Sequence, residues 1–442
     1  MGLNDTPVSE RIQIGFFGCV NAGKSSLINS VSGQKVSVVS EKKGTTTDPV
    51  IKTMEMGELG PVVLIDTPGL NDDSDIGELR VKRSEEMFGR ADMIVVVVDA
   101  QKLVKETDVD KNNEKEYIIN FIEKCRSRKK PHLIALNKTE EDEGEAVGIM
   151  QDLLPDDRSV SVIQVNAVTG YGIDELKESM IALGKSSAKA VKDENKMVSD
   201  LIKKGDTVIL VIPIDESAPK GRLILPQQQV IRDVLDAGGN AICIKDTELK
   251  GLFDDNPLWY DNDIERAGDM QGKIKVHGMR PALVITDSQV FGYVADIVPE
   301  YIPLTSFSII MARYKGALKE QVEGAKVIDS LEDGDTVLVA EGCTHHRHCE
   351  DIGTVKLPAM LKKYTGKDIR MEASSGHGYP EDLSKYKLIL HCGGCMLGEQ
   401  EIRSRMDYAH DRDVPITNYG ISIAYMSGIL ARSVAPLPEI DI

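Results

Sequence analysis

Residues 12–25 read Ile12-Gln-Ile-Gly-Phe-Phe-Gly18-Cys-Val-Asn-Ala-Gly23-Lys24-Ser25. Ile12–Phe17 is a buried-strand pattern, Gly18–Ser25 matches G-x-x-x-x-G-K-[ST], and Lys24–Val31 has helical spacing. A strand that enters this loop and leaves it as a helix is the context the motif requires. The glycines let backbone N–H groups wrap phosphates, and the helix N-terminus adds a favourable dipole. Lys24 would neutralise the β- and γ-phosphates, Gly23 and Ser26 would complete the cradle, and Ser25 would ligate Mg²⁺.

Outward from this loop, apolar runs at Val62–Ile65, Met93–Val98, His132–Leu136 and Val160–Val165 alternate with helical patterns at Lys115–Cys125 and Ile173–Leu183. That alternation predicts an α/β domain with a mostly parallel sheet covered on both faces. Asp66-Thr-Pro-Gly69 follows the second strand, where Asp66 can hold magnesium and the Gly69 amide can reach a γ-phosphate. Gly44-Thr-Thr-Thr-Asp48 offers hydroxyls to the same metal, Thr46 first and Thr45 as the alternative. Asn137-Lys138-Thr139-Glu140 stands where a guanine-reading N-K-x-D is expected, its carboxylate accepting two hydrogen bonds that adenine cannot supply. The nucleotide is therefore GTP.

This stretch resembles the TrmE–Era class of small GTPases, with GTTTD in place of GTTRD. Glu140 replaces the usual aspartate, and Asn166-Ala167-Val168 replaces Ser-Ala-Lys. The resemblance implies that Asn21 coordinates a K⁺ ion and that Glu78, twelve residues after Asp66, orients the attacking water. No glutamine follows Gly69, so slow intrinsic hydrolysis is expected.

Composition narrows the class. Of 442 residues, 53 are Lys or Arg and 71 are Asp or Glu, a formal charge of −18 that disfavours nucleic-acid binding. No apolar run approaches the ~20 residues of a membrane span, and no secretory signal opens the chain. A cytoplasmic protein is expected. Of seven cysteines, Cys19, Cys125 and Cys243 read as packing residues. Cys343, Cys349, Cys392 and Cys395 lie near His345, His346, His348 and His391, which reads as metal chemistry rather than disulfides.

The metal pattern is Cys343-x-His345, 45 residues, then His391-Cys392-x-x-Cys395, each half following an apolar strand. The ligands would gather at the carboxyl ends of parallel strands. Gly342, Gly393 and Gly394 would bring backbone close to a cluster and aim amides at sulfur. Tetrahedral zinc and an iron–sulfur cluster both fit these donors. Glu341 is a weaker candidate.

A TrmE-like GTPase joined to CxH…HCxxC resembles the HydF family of [FeFe]-hydrogenase maturation GTPases over essentially the whole chain, including the LILPQQQVIRDVLD stretch. The resemblance implies a GTPase domain at 1–184, a linker at 185–196, a dimerisation domain at 197–268 and a cluster-binding domain at 269–442. It implies a [4Fe–4S] cluster on Cys343, Cys392 and Cys395, with His345 or His391 as a replaceable fourth ligand. A scaffold is implied too, one that receives a transient [2Fe] precursor from two radical-SAM maturases and passes it to apo-hydrogenase. The partners it implies are a second copy of the chain, in a dimer or a higher oligomer, those maturases and the hydrogenase, and neither nucleic acid nor membrane is expected. The competing readings are an RNA-associated GTPase with a structural zinc domain and a metalloenzyme that GTP regulates. Strand-like runs are expected at Asp206–Pro213, Ala241–Lys245, Leu283–Ile285, Ser308–Met311, Thr336–Ala340, Tyr386–Leu390 and Pro415–Thr417, with a helix at Gln227–Ala237. No internal repeat stands out.

Overall fold

The structure, a computed structural model, describes residues 10–33, 51–69, 77–105, 114–139, 144–154, 160–194, 196–214, 223–256, 259, 280–342, 352–376, 379–394 and 397–440. The chain divides into two compact units, Met1–Asp193 and Glu194–Ile442.

The first unit is built on β1 (Ile12–Phe17), β2 (Ile51–Glu55), β3 (Pro61–Asp66), β4 (Met93–Asp99), β5 (His132–Asn137) and β6 (Val162–Gln164). Their order is β2-β3-β1-β4-β5-β6. All pairs are parallel except β2 with β3. The central strands are buried on both faces, with apolar clusters on each side of the sheet. This is the doubly covered α/β sheet that the alternation requires. Cys19 and Cys125 are buried, and burial pushes the Cys125 thiol up to about 12.

One expectation meets a difference here. The stretch 185–196, expected as a linker, is helical as far as Glu194, as the end of the helix Ile173–Glu194. Gly184 packs so closely on Leu59 that a Cβ there would lie 2.9 Å from Cδ1, and Lys185 pairs with Glu58. Those contacts extend the helix through a composition that favours neither state.

In the second unit, β7 (Thr207–Val211), β8 (Asn240–Ile244), β9 (Leu283–Thr286) and β10 (Leu304–Ser306) form one sheet. It is followed by a sheet of β11 (Thr336–Glu341), β12 (Arg370–Ser375), β13 (Tyr386–His391) and β14 (Ile416–Asn418). The expected boundary at 268/269 cuts the first of these sheets, because β9 pairs with β7 and β10 with β9 rather than with the strands that follow. Some 70 residues could not bury that sheet alone. Its core draws on Phe307, Ile310, Ile421 and Val434 as well. Ser308–Met311, expected as a strand, lies in the helix Phe307–Tyr314, capped by Ser306 Oγ accepting from the Ile309 amide at 3.3 Å. Cys243 is exposed on the edge strand β8, against the expectation that it packs.

The two sheets are copies of one plan. Their orders, β10-β9-β7-β8 and β12-β11-β13-β14, are the same 2-1-3-4 arrangement with every pair parallel. The registers coincide: Val208↔Leu283 and Val211↔Thr286 match Val337↔Leu388 and Ala340↔His391. Likewise Ser306↔Thr286 matches Asn418↔His391. The detail extends to the turns, where Asp206 Oδ2 accepts from the Lys203 amide and Asp335 Oδ2 from the Glu332 amide. The helices Phe307–Tyr314 and Tyr419–Met426 follow β10 and β14 with equal length. They meet at equivalent residues, since a Cβ on Gly420 would lie 2.3 Å from the Ser308 Cβ. The expectation of no internal repeat is corrected: a repeat spans this unit, and it is kept in hydrogen-bonding geometry far more than in side chains.

Candidate functional site

The phosphate loop joins β1 to the helix Lys24–Ser32, with Asn21 and Gly23 in left-handed conformations at φ 65° and 93°. Lys24 is 8% exposed, and its Nζ donates to the Gly18 and Cys19 carbonyls at 2.9 and 3.0 Å. Burial pushes the Lys24 amine down, against the opposing pull of Asp66. Asp66, at the end of β3, accepts from Ser25 Oγ at 2.5 Å. Burial pushes its carboxyl up despite that hydrogen bond. The ammonium and the carboxylate are thus both short of solvation, a shortage that phosphate oxygens and Mg²⁺ would relieve. Ser26 is exposed on the first turn of the helix. Gly69 lies against this loop, where a Cβ would fall 2.9 Å from the Val20 nitrogen.

The base-reading end is assembled around Asn137. Its Nδ2 donates to the Ala22 carbonyl at 2.9 Å and its Oδ1 accepts from the Ala167 amide at 3.1 Å. Lys138 Nζ donates to the Asn21 carbonyl at 2.9 Å and pairs with Asp99 Oδ2 at 2.5 Å. Three separated motifs are thereby locked into one frame. Asp99 was absent from the sequence reading, although its place as the last residue of β4 is the signal that would have found it. Glu78 lies at the start of the helix Gly77–Arg90. Thr46, Thr45 and Glu140 lie outside the described residues.

The second candidate site lies at the carboxyl ends of β11 and β13, adjacent and parallel. This is the switch point of a 2-1-3-4 sheet, where open α/β sheets place ligands. Cys392 Sγ accepts from the Gly342 amide at 3.0 Å and the Gly394 amide at 3.4 Å. Two backbone donors suit a thiolate better than a thiol, so this sulfur fits a metal-ligand role. Cys343, His345 and Cys395 lie outside the described residues, and among the described residues no three His, Cys, Asp or Glu side chains gather as a metal site.

His391 is fully buried. Its Nε2 meets Arg405 Nη1 at 3.0 Å, and its Nδ1 meets the Cys392 carbonyl at 2.6 Å. A guanidinium only donates, so Nε2 accepts and Nδ1 carries the proton. Burial, then Arg405, pushes the imidazole down to about 3. Both nitrogens are therefore committed. Arg405 also donates to Glu401 Oε1 at 3.0 Å and to the Gly376 carbonyl at 2.7 Å. Neither residue was singled out in the sequence, where the i,i+4 pair looks like an ordinary surface pair.

Three family models match. They are the 50S ribosome-binding GTPase at residues 13–138, the hydrogen maturase F dimerization domain at 197–257 and 263–316, and the hydrogen maturase F tetramerization domain at 319–436. The two hydrogen maturase F models together cover more than half of the chain. The chain belongs to the hydrogen maturase F (HydF) family. It carries a GTPase domain of the kind that binds GTP with Mg²⁺, followed by regions of a type named for self-association. The tRNA modification GTPase MnmE of Alkaliphilus oremlandii is 29% identical over 187 residues, 42% of this chain and 37% of that protein. That of Clostridioides difficile is 31% identical over 186 residues, 41% of this chain and 36% of the other. GTPase Era of Caldicellulosiruptor saccharolyticus is 25% identical over 246 residues, 53% of this chain and 77% of the other. The chain spans little more than a third of the MnmE relatives' length. Among the described residues no helix is long and apolar enough to cross a membrane.

Proposed function

We propose that this HydF-family chain is a cytoplasmic, dimeric, GTP-hydrolysing scaffold that carries a [4Fe–4S] cluster and hands a diiron precursor to apo [FeFe]-hydrogenase. The observation that carries the reading is Cys392, whose sulfur receives two amide hydrogen bonds where β11 and β13 end together. Cys343, Cys392 and Cys395 would hold the cluster. His391 has no nitrogen lone pair left for iron while Arg405 holds it, which favours His345 for the fourth, replaceable position. When bound, the cluster supplies an open iron at which a precursor can dock.

In the GTPase domain, Lys24 and the loop amides would bind the β- and γ-phosphates, and Ser25 and Thr46 would hold Mg²⁺, with Asp66 behind them. Asn137, Lys138, Glu140 and Ala167 would read guanine. Asn21 would place K⁺ against the phosphates, and Glu78 with the Gly69 amide would set the water and the γ-phosphate for slow hydrolysis. Hydrolysis would then change the affinity for the two radical-SAM maturases and the hydrogenase, a coupling of about 1–3 kcal/mol that must be reciprocal.

The test is anaerobic reconstitution followed by metal analysis and EPR of the dithionite-reduced protein. About four irons per chain with a fast-relaxing S = 1/2 signal is expected. Stoichiometric zinc without colour or signal would sink the scaffold reading. Lys24→Ala should abolish GTP turnover and spare the cluster.

A further inference from the structure

The repeat in the second unit serves as an internal control, because it separates what the backbone plan requires from what the metal loop requires. Lys315 follows the helix Phe307–Tyr314, and Ser427 holds the same place after Tyr419–Met426. The backbone does the same thing at both, with the Lys315 amide donating to Met311 and the Ser427 amide to Ile423, each at 3.0 Å. Gly316 and Gly428 then turn the chain at φ 65° and 72°. The side chains differ completely. Ser427 is exposed, whereas Lys315 is 6% exposed. The plan is therefore satisfied by a small surface residue, and a buried ammonium there needs a separate reason.

That reason lies in what the ammonium touches. Lys315 Nζ donates to the Gly394 carbonyl at 2.5 Å and to the Leu397 carbonyl at 3.3 Å. These two carbonyls bracket Cys395 in the sequence, and the amide of the same Gly394 points at Cys392 Sγ. Gly394 adopts φ 62°, so its two faces are fixed by one left-handed turn. The loop is held from the neighbouring repeat by a cation, and a cation there does two things. It fixes the turn that aims an amide at the Cys392 sulfur, and it places positive charge on the residue that supplies that amide.

We propose that Lys315, supplied by the first repeat, is a positioning residue for the Cys392–Gly394 turn of the second and favours the reduced, more negatively charged state of the iron–sulfur group bound there. The inference rests on the cluster reading above, and the experiment separates the two. Full-length wild type, Lys315→Met and Lys315→Arg are reconstituted, and each is assayed for iron and melting temperature and titrated by EPR for its reduction potential. Lys315→Met should be harder to reduce by about tenfold in equilibrium constant, about 59 mV for a one-electron couple. Lys315→Arg, which can still donate to both carbonyls, should return the potential most of the way to wild type. A loaded Lys315→Met with wild-type potential would overturn the inference, and an iron-free wild type would overturn the reading beneath it. If Lys315→Met holds no iron, Lys315→Arg decides: a wild-type cluster signal supports the clamp, and its absence overturns it.

Discussion

The sheets β7–β10 and β11–β14 share strand order, register and turn geometry, yet only the second has sulfur at its switch point. Where β13 ends in His391 and Cys392, β9 ends in Thr286 and Asp287. Even the side-chain habit is retained. Thr286 Oγ1 donates to the next carbonyl at 3.3 Å, as His391 Nδ1 does to Cys392 at 2.6 Å. The difference teaches that the crevice is a property of the backbone, and that a sulfur with its amide donors was laid onto it by a few residues. Cys392, the glycines beside it, Arg405 and Lys315 are those residues.

The largest expected effect breaks the symmetry of function. Cys392→Ser should lose essentially all reconstituted iron, while Asp287→Ala at the matching position should leave iron content unchanged. The latter loses the cap in which Asp287 Oδ1 accepts from the Gln289 amide, a cost of about 1 kcal/mol by thermal melting. Iron loss in both variants would mean that the first crevice takes part in the metal site.

Arg313 tests whether the two repeats stand as one block. Its guanidinium is buried and donates to the Met197 carbonyl at 2.7 Å, to Asp200 at 2.8 and 2.6 Å, and to Glu439 at 2.7 Å. It thereby ties residues before the first repeat to residues after the second. Arg313→Met should cost about 3 kcal/mol, the low end for a broken buried pair, because Asp200 and Glu439 keep some contact with water. A single cooperative transition at lower temperature is expected in calorimetry, and two separate transitions would show that the repeats fold independently. Burial alone would raise the Asp200 carboxyl, but hydrogen bonds and charge from Arg313 hold it below its ordinary value. The stability from this pair is therefore complete above the ordinary carboxylate pKa and fades as pH falls through the lowered one. The gap between variant and wild type should narrow in acid.

His391→Thr installs the residue of the first repeat. Iron should remain, since His391 is spoken for by Arg405, while the buried Arg405 loses an acceptor at about 1–3 kcal/mol. In iron-free wild type, the buried imidazole stays neutral down to about 3 while the unfolded one protonates near 6.5. The unfolded state binds the extra proton between those values, so stability falls as pH drops through that window, by about 1.4 kcal/mol per unit at most. The variant should lack this slope in urea titrations at pH 4 to 7. Loss of iron in His391→Thr would return His391 to the ligand set.

The phosphate loop was legible because its chemistry forces spacing: backbone amides can wrap phosphates only with Gly18, Gly23, Lys24 and Ser25 in those places. Of the metal reading, what the structure shows is that two of the glycines singled out, Gly342 and Gly394, aim their amides at the Cys392 sulfur. Ser308–Met311 was misread because a helix buried on all sides has no polar face, so its apolar run lacks a period. The repeat left letters in the sequence, Gly205-Asp-Thr-Val208 with Gly334-Asp-Thr-Val337 and Pro303-Leu-Thr305 with Pro415-Ile-Thr417. They are too few to stand out, because parallel strands ask only for apolar side chains at most positions. Lys315 and Arg405 were illegible, since a buried cation acting on a distant loop has no local pattern.

The smallest effect falls where the copies touch. Gly420 and Ser308 occupy matching helix positions, and Ser308 Oγ lies 3.0 Å from Ser288 Oγ. A methyl at 420 would meet the Ser308 Cβ at 2.3 Å and Ser288 Oγ at 2.5 Å. Gly420→Ala should cost about 1–2 kcal/mol through overpacking. Shrinking the partner tests the cause: in a Ser308→Gly background the same substitution should cost clearly less, leaving a coupling above 0.5 kcal/mol in a double-mutant cycle. Additive costs would mean that the helices do not meet at these residues. The repeats would then be joined chiefly through the helix Leu318–Lys326, whose Gly324 lies against the Ile416 carbonyl of β14. Coupling above that threshold places the meeting point of the two copies between Ser308 and Gly420, one residue from Tyr419, whose hydroxyl reaches Glu341, the last residue of β11, at 3.5 Å.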